Sequence, residues 1–413
     1  MSALEEVFKK IDGSRCEIIN LQADLTSKVA LGPENGGTGE HEKSNYLKKR
    51  LEALQPDSIE EIRCPDERAE EGYRPNLVAR WGGKQNGPGI WVLSHMDIVP
   101  PGDPALWESD PYVIKVDGDK IIGRGVLDNQ AGIVSSYLAV KACQGIVQRL
   151  GRSVGLVFVA DEETGSKYGL EYLLQEHGAI FDPNDLIIVP DGGNESGTMV
   201  EVAEKSMLWL KFTVIGKQCH ASTPNHGKNS LYGTARLILA LESLKKDFSS
   251  FDKLFSPPTS TFEPTKVEAN VPNINTIPGR DVFYLDCRIL PQYQVEDVIG
   301  FAKEKANAVA GELDLSISVE PVHRQDAINP TSEDAPVVKA LIAAIKEVTG
   351  LDATPMGIGG GTVAAFFRKV GLPAAVWMTM PDTAHQPNEY CLISNIMNDA
   401  KVFASLYLNA YGT

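Results

Sequence analysis

The chain has 413 residues, 43% hydrophobic and 23% charged, which suits an ordinary globular protein of two or three domains with a large core. Its formal net charge of -16 repels polyanions, so nucleic acid is disfavoured as a partner, and no stretch approaches the ~20 apolar residues of a membrane span. Six cysteines (Cys16, Cys64, Cys143, Cys219, Cys287 and Cys391) are scattered without a C-x-x-C pair, and the N-terminus lacks the apolar core of a signal peptide; both features argue for reduced thiols and a cytoplasmic location.

Residues 3–30 and 40–54 carry apolar and charged residues at helical spacing and predict two amphipathic helices, joined by a Gly-rich loop from Gly32 to Gly39. From about 60 to 200, short apolar runs alternate with helical stretches. Gly89–Ser94, Val154–Ala160 and Leu186–Val189 predict buried strands, and 129–143 and 168–177 predict helices. Such alternation implies an α/β layered domain with a mainly parallel sheet flanked by helices, in which functional groups gather past the carboxyl ends of the strands.

The pattern changes near 204. Strands are expected over Ser206–Ile215, Val282–Leu290 and Leu313–Val319, with a further strand within 266–277, and helices over 229–247 and 294–309. That order fits a β-α-β-β-α-β unit. After 323 the α/β character returns, with helices at 336–348, 362–370 and 392–408 and a strand at Ala374–Met378. The expected organisation is a discontinuous α/β domain, residues 1–203 and 323–413, with a second domain, 204–322, inserted.

Five polar segments carry candidate chemistry. SHMDIVP contains His95 and Asp97, two apart, so one can ligate a metal while the other orients its ring. GRGVLDNQAG contains Asp128, VADEETG contains Glu162 and Glu163, VPDGG contains Asp191, and PDTAHQPNE contains His385. Taken singly, each has an ordinary structural explanation. His95 suits a core or strand-end histidine, Asp128 an N-cap, and the two glutamates an acidic first helical turn. Asp191 suits an Asp-Gly turn and His385 a surface loop. Together they supply two imidazoles and several carboxylates on one expected face, a donor set suited to zinc, cobalt or manganese. Two ions ~4 Å apart sharing a carboxylate would acidify a bridging water.

In order and spacing these segments resemble the co-catalytic metallopeptidases that include succinyl-diaminopimelate desuccinylase, acetylornithine deacetylase, aminoacylase and several dipeptidases. The likeness covers nearly the whole chain. It implies His95, Asp128 and Asp191 on one ion and Asp128, Glu163 and His385 on the other. Glu162 would be the general base and Asp97 the partner of His95. It also implies that the insertion is a ferredoxin-like lid that mediates homodimerisation. GKQCHASTP matches the lid motif that places His220 at the oxyanion. Asn275, Arg288 and the Gly-rich segment Gly360, Gly361 and Thr362 match substrate-binding positions, the arginine at a carboxylate. Family deacylases usually carry Glu at the position of Asp191, where Asp is more usual among dipeptidases and aminopeptidases. Hydrolysis of an N-acyl amino acid is therefore the first expectation and a dipeptidase or aminopeptidase the second. A relative that binds metal or ligand without turnover would be expected to have lost Glu162 or a ligand, and none is missing.

Overall fold

The computed structural model describes residues 2–82, 88–150 and 152–409; residues 1, 83–87, 151 and 410–413, which the expected catalytic domain also spans, lie outside the described residues. The chain forms two compact units. The first comprises Met1–Val202, Thr331–Pro355 and Thr362–Thr413, and the second Ala203–Pro330 and Met356–Gly361.

The amphipathic stretch 3–30 is two helices, Ala3–Asp12 and Arg15–Ser27, because Gly13 ends the first by donating to the carbonyls of Lys9 and Ile11. The strands that follow are β1 (Ser58–Pro65), β2 (Tyr73–Trp81), β3 (Ile90–His95), β4 (Lys115–Asp117), β5 (Lys120–Ile122), β6 (Val154–Val159), β7 (Leu186–Asn194) and β8 (Met199–Glu204). The insertion supplies β9 (Ser206–Ile215), β10 (Cys219–His220), β11 (Thr261–Val267), β12 (Thr276–Ile277), β13 (Arg280–Ile289) and β14 (Ser316–Gln325). The chain then adds β15 (Thr354–Ile358), β16 (Ala374–Thr379) and β17 (Tyr390–Leu392).

The main sheet has the order β1-β2-β6-β3-β7-β16-β8-β15. Its centre is parallel, with β3 beside β6 and β7, and β16 beside β7. β1 runs antiparallel to β2, β2 to β6 and β8 to β16. β3 and β6 are buried along their whole length, and apolar but for Ser94 and His95 at the end of β3, as strands covered on both faces are. On one face Trp91, Leu93, Val157 and Val159 pack with Leu170, Leu173 and Phe367 from the adjoining helices and with Phe181 from a connecting segment. Gly155 lies opposite Trp91 in the register, and a Cβ there would fall 2.1 Å from the indole ring. The bulky residue on β3 therefore requires the glycine on β6. The helices Gln130–Ala142 and Ile393–Asn409 pack against each other.

Because the central strands are parallel, their carboxyl ends lie at one edge. His95 ends β3, Glu162 follows β6 after Ala160 and Asp161, Asp191 lies on β7, and the loop after β16 carries His385. The end of β16 is anchored by Asp399, whose carboxylate accepts hydrogen bonds from Thr379 N at 3.0 Å and Thr379 Oγ1 at 2.7 Å.

In the second unit the sheet order is β11-β13-β9-β14, antiparallel throughout, a ferredoxin-like arrangement. Inward residues of β9 and β13, including a stacked Phe212–Phe283 pair with centroids 4.6 Å apart, pack against Leu237, Leu241, Val298 and Ala302 of its helices. Helix Val295–Leu313 outlasts its predicted end, and Asp314 at φ 52 turns the chain into β14. Among the described residues no helix is long and apolar enough to cross a membrane.

Burial pushes the Asp399 carboxyl up to about 7, against the hydrogen bonds from Thr379 that favour its ionised form. A carboxyl whose folded pKa is raised stabilises the fold while protonated and loses that contribution as pH rises from ~4 to about 7, by at most ~1.4 kcal/mol per pH unit. The variant Asp399→Asn is expected to gain melting temperature relative to the native chain as pH goes from 5 to 8. A difference that stays constant with pH would show that Asp399 does not titrate in this range.

Candidate metal centre

The first unit brings His95, Asp97, Asp128, Glu162, Glu163, Asp191 and His385 together. His95 Nε2 lies 2.8 Å from Asp128 Oδ1 and 3.5 Å from Asp191 Oδ1. On the other side of Asp128, Oδ2 is 3.0 Å from His385 Nε2, which is also 3.1 Å from Glu163 Oε2. Asp128 thus stands between two imidazoles. Two groups have ligand atoms mutually within 4.8 Å: His95 with Glu162 and Asp191, and His95 with Asp128 and Glu163.

Each side chain is held from behind. His95 Nδ1 faces the Asp97 carbonyl at 3.1 Å and its Oδ1 at 3.3 Å. The Asp97 carboxylate also accepts the backbone N–H groups of Glu162 and Glu163, each at 3.0 Å, so one aspartate fixes both β3 and the turn after β6. That turn is a three-residue 3-10 segment entered through Asp161 at φ 64. Asp161 N donates to Glu40, which pairs with fully buried Arg74 through Nε at 2.7 Å and through Nη2. Removing one partner from such a pair costs ~3–5 kcal/mol.

The local geometry departs from the ordinary explanations for Asp128 and Asp191. Asn129, not Asp128, precedes the helix Gln130–Ala142. Its Nδ2 donates to Asp191 Oδ1 at 2.6 Å and to the Pro190 carbonyl at 2.5 Å. Asp191 lies on β7, which continues to Asn194 instead of turning. His385 is exposed and at φ 63, a backbone region that non-glycine residues seldom adopt.

Electrostatically the cluster sets five carboxylates (Asp97, Asp128, Glu162, Glu163 and Asp191) against two imidazoles. Burial, then repulsion from Asp191, raises Glu162 well above the ordinary range; burial, then Asp128, pushes Glu163 up to about 7. Burial also raises Asp191. Hydrogen bonds to Asp128 and Glu163 hold His385 up at about 10. Burial opposes ionisation of Asp128, but hydrogen bonds from His385 and His95 bring it below the usual carboxylate range. Glu163 Oε1 is buried without a hydrogen-bond partner. Excess buried anion, imidazole nitrogens and an unpartnered carboxylate oxygen fit divalent cations with mixed nitrogen and oxygen ligands.

Four supporting residues carry no sequence signature of their own. Asn129, Arg124 and Glu389 lie inside the polar segments, but their partners are backbone groups or residues distant in the chain. The fully buried Glu389 carboxylate accepts from Arg124, Gly125, Leu127 and Asp128. Lys43 is buried with its ammonium unpartnered; burial pulls it down to about 8, opposed by Asp97, Glu40 and Glu389.

The other candidates lie elsewhere. In the second unit, β10 pairs with β12, setting His220 opposite Thr276, and Ala221 N donates to Asn275 O at 2.9 Å. His220 Nδ1 accepts from Ser222 N at 3.1 Å and contacts Ser222 Oγ at 2.7 Å. Arg288 is engaged within its own unit, by Asp286 through Nε at 2.9 Å and Nη2 at 3.1 Å, and by the Gly359 carbonyl through Nη1 at 2.8 Å. Gly361 is crowded, a Cβ there falling 2.5 Å from Gln325, whereas Gly360 faces open space. Thr362 belongs to the first unit, where its Oγ1 accepts from Ala364 N at 3.2 Å.

Residues 91–409 match the model of peptidase family M20/M25/M40. An uncharacterized metallohydrolase of Methanococcus maripaludis is 40% identical over 411 residues, covering 94% of this chain and 98% of that protein. Succinyl-diaminopimelate desuccinylase of a Methylobacterium species is 29% identical over 345 residues, covering 81% of this chain and 83% of its own. Among solved structures, human carnosine dipeptidase 1 superposes with a TM-score of 0.74 at 18% identity, covering 99% of each chain.

Asp97 orients His95 and holds the turn of Glu162 and Glu163 at once. Asp97→Asn is expected to weaken zinc binding to the metal-free protein by ~10–100-fold, measured by competition with a chromophoric chelator. Unchanged affinity would show that Asp97 does not hold the cation ligands in place.

Proposed function

The chain belongs to peptidase family M20/M25/M40 and is a hydrolase of amide or peptide bonds, and from that premise we propose that it removes the acyl group of an N-acyl amino acid with the help of two divalent ions. The observation that carries the two-ion reading is Asp128, whose two oxygens face His95 and His385 separately, at 2.8 and 3.0 Å. His95, Asp128 and Asp191 would hold one ion and Asp128, Glu163 and His385 the other. Zinc is the proposed metal, with cobalt and manganese suited to the same donors.

When bound, the ions supply Lewis acidity and lower the pKa of water toward neutrality. The protein's own groups do the rest. Glu162, grouped with His95 and Asp191, takes the proton of the attacking water and delivers it to the leaving amine, work worth roughly 10²–10⁴-fold. Asp97 keeps the backbone of Glu162 and Glu163 in place. His220, its Nδ1 held by Ser222, donates to the developing oxyanion. Asn275, Gly360, Gly361 and Thr362 contact the substrate, and Arg288, oriented by Asp286 and Gly359, binds its carboxylate.

We also propose a homodimer formed through the second unit. Leu231, Tyr232 and Leu239 are 48%, 70% and 64% exposed along one helix, and β11 is an edge strand. Both are surfaces that a second copy would cover. A sedimentation mass of two chains is expected; a monomer at micromolar concentration would refute this. Six unpaired cysteines support a cytoplasmic location.

A second reading, a dipeptidase or aminopeptidase, is favoured by Asp191 where the family's deacylases usually have Glu. The desuccinylase likeness supports the first reading and the carnosine dipeptidase likeness is one of fold. The two are separated by assaying amine release from N-succinyl and N-acetyl amino acids and from unblocked dipeptides, with zinc or cobalt and a chelator control. Chelator-sensitive cleavage of the acylated substrates is expected, and cleavage of dipeptides alone would transfer the chain to the second reading. Glu162→Gln should retain its metal and lose 10²–10⁴-fold in kcat; a fully active variant would remove Glu162 from the mechanism.

A further inference from the structure

Glu389 has no part in the reaction described above, yet it joins two segments that each carry a proposed metal ligand. Its Oε1 accepts from Leu127 N at 2.9 Å and Asp128 N at 3.1 Å, and its Oε2 from Arg124 Nη1 at 2.5 Å and Gly125 N at 3.2 Å. Arg124 Nη2 reaches on to the His385 carbonyl at 3.3 Å. Gly123 N donates to Glu389 O at 3.0 Å, and just beyond it Tyr390 of β17 pairs with Ile122 of β5. The loop of Asp128 and the loop of His385 are therefore clamped together through one buried carboxylate and one buried guanidinium.

We propose that Glu389 and Arg124 are positioning residues whose clasp fixes the separation of Asp128 and His385, and so sets the affinity of the cation bound by Asp128, Glu163 and His385. The proposal builds on the two-ion reading. Ligand distances tolerate only ~0.2 Å of error, and His385 is the exposed member of the cluster, on a loop at positive φ. Without the clasp that loop has fewer fixed points. His95 and Asp191 have separate supports in Asp97 and Asn129, so the other group keeps two of its ligands oriented.

The carboxylate is required because each oxygen accepts two N–H donors. A glutamine amide offers a nitrogen that cannot accept, and it leaves Arg124 buried without its counter-charge. A lysine at 124 keeps the charge but lacks the planar fork that reaches both Glu389 and His385.

Metal-free native protein, Glu389→Gln and Arg124→Lys would be titrated with cobalt(II), following the visible absorption spectrum and the equivalents bound by calorimetry. The native chain is expected to take two ions. Each variant is expected to keep one tight ion and to bind the second 10–100-fold more weakly. Excess cobalt should restore kcat with little change in KM. Variants that bind both ions like the native chain, or lose both equally, would overturn the clasp. A native chain that binds fewer than two ions would overturn the two-ion reading and the clasp with it. Circular dichroism checks folding, and Arg124→Lys decides the matter if Glu389→Gln does not fold.

Discussion

Like-charge repulsion among Asp97, Asp128, Glu162, Glu163 and Asp191 is the force that the first unit has to contain. Two unit charges 4 Å apart in a partly screened site repel by ~4 kcal/mol, comparable to a large part of a domain's net stability. The fold meets this by directing donors at the cluster from behind: backbone N–H groups onto Asp97, the amide of Asn129 onto Asp191, and the imidazoles of His95 and His385 onto Asp128. Burial first, and then their anionic neighbours, raise the proton affinity of Glu162 and Glu163.

The parallel centre of the sheet makes this concentration possible. Adjacent parallel strands end at the same edge, so β3, β6, β7 and β16 deliver residues from widely separated parts of the chain to one place. Behind that edge lies a second layer of paired charges, Arg74 with Glu40 and Arg124 with Glu389. Each pair is buried, and each is joined by hydrogen bonds to a segment that carries part of the cluster. Such pairs contribute little net stability on their own, because desolvation offsets attraction; what they fix here is position.

Much of this was legible in the residues. Uniformly apolar runs mark β3, β6 and the start of β7, and each is followed within a few positions by a metal-competent side chain. The flanking strands β1 and β2 were not legible. β1 reads SIEEIRCP, with charges on both faces, and β2 carries Arg74 and Asn76 at buried positions. Neither shows the apolar run or the clean alternation that signals a strand. The predicted helix 229–247 is broken into Ser230–Leu241 and Leu244–Asp247. The five segments named the cluster but not its supports. Glu389 accepts from the backbone N–H groups of Gly125, Leu127 and Asp128, and a backbone donor leaves no trace in an amino-acid sequence. Arg288 shows a related limit: the resemblance places it at a substrate carboxylate, but nothing in the sequence signals that Asp286 and the Gly359 carbonyl hold it.

The place of β16 in the sheet bears on the order in which the protein is made. It lies between β7 and β8, although β7 and β8 precede it by roughly 180 residues. Residues 203–330 of the second unit form one uninterrupted stretch and hold their own antiparallel sheet and helices, all of it translated before β16. The first unit has to wait with a gap in its sheet, and His385 arrives only after that gap is filled. Assembly of the cluster is thereby placed after synthesis of β16 and the His385 loop, and a nascent chain carrying only His95, Asp128 and Asp191 cannot yet present the complete set to a metal ion.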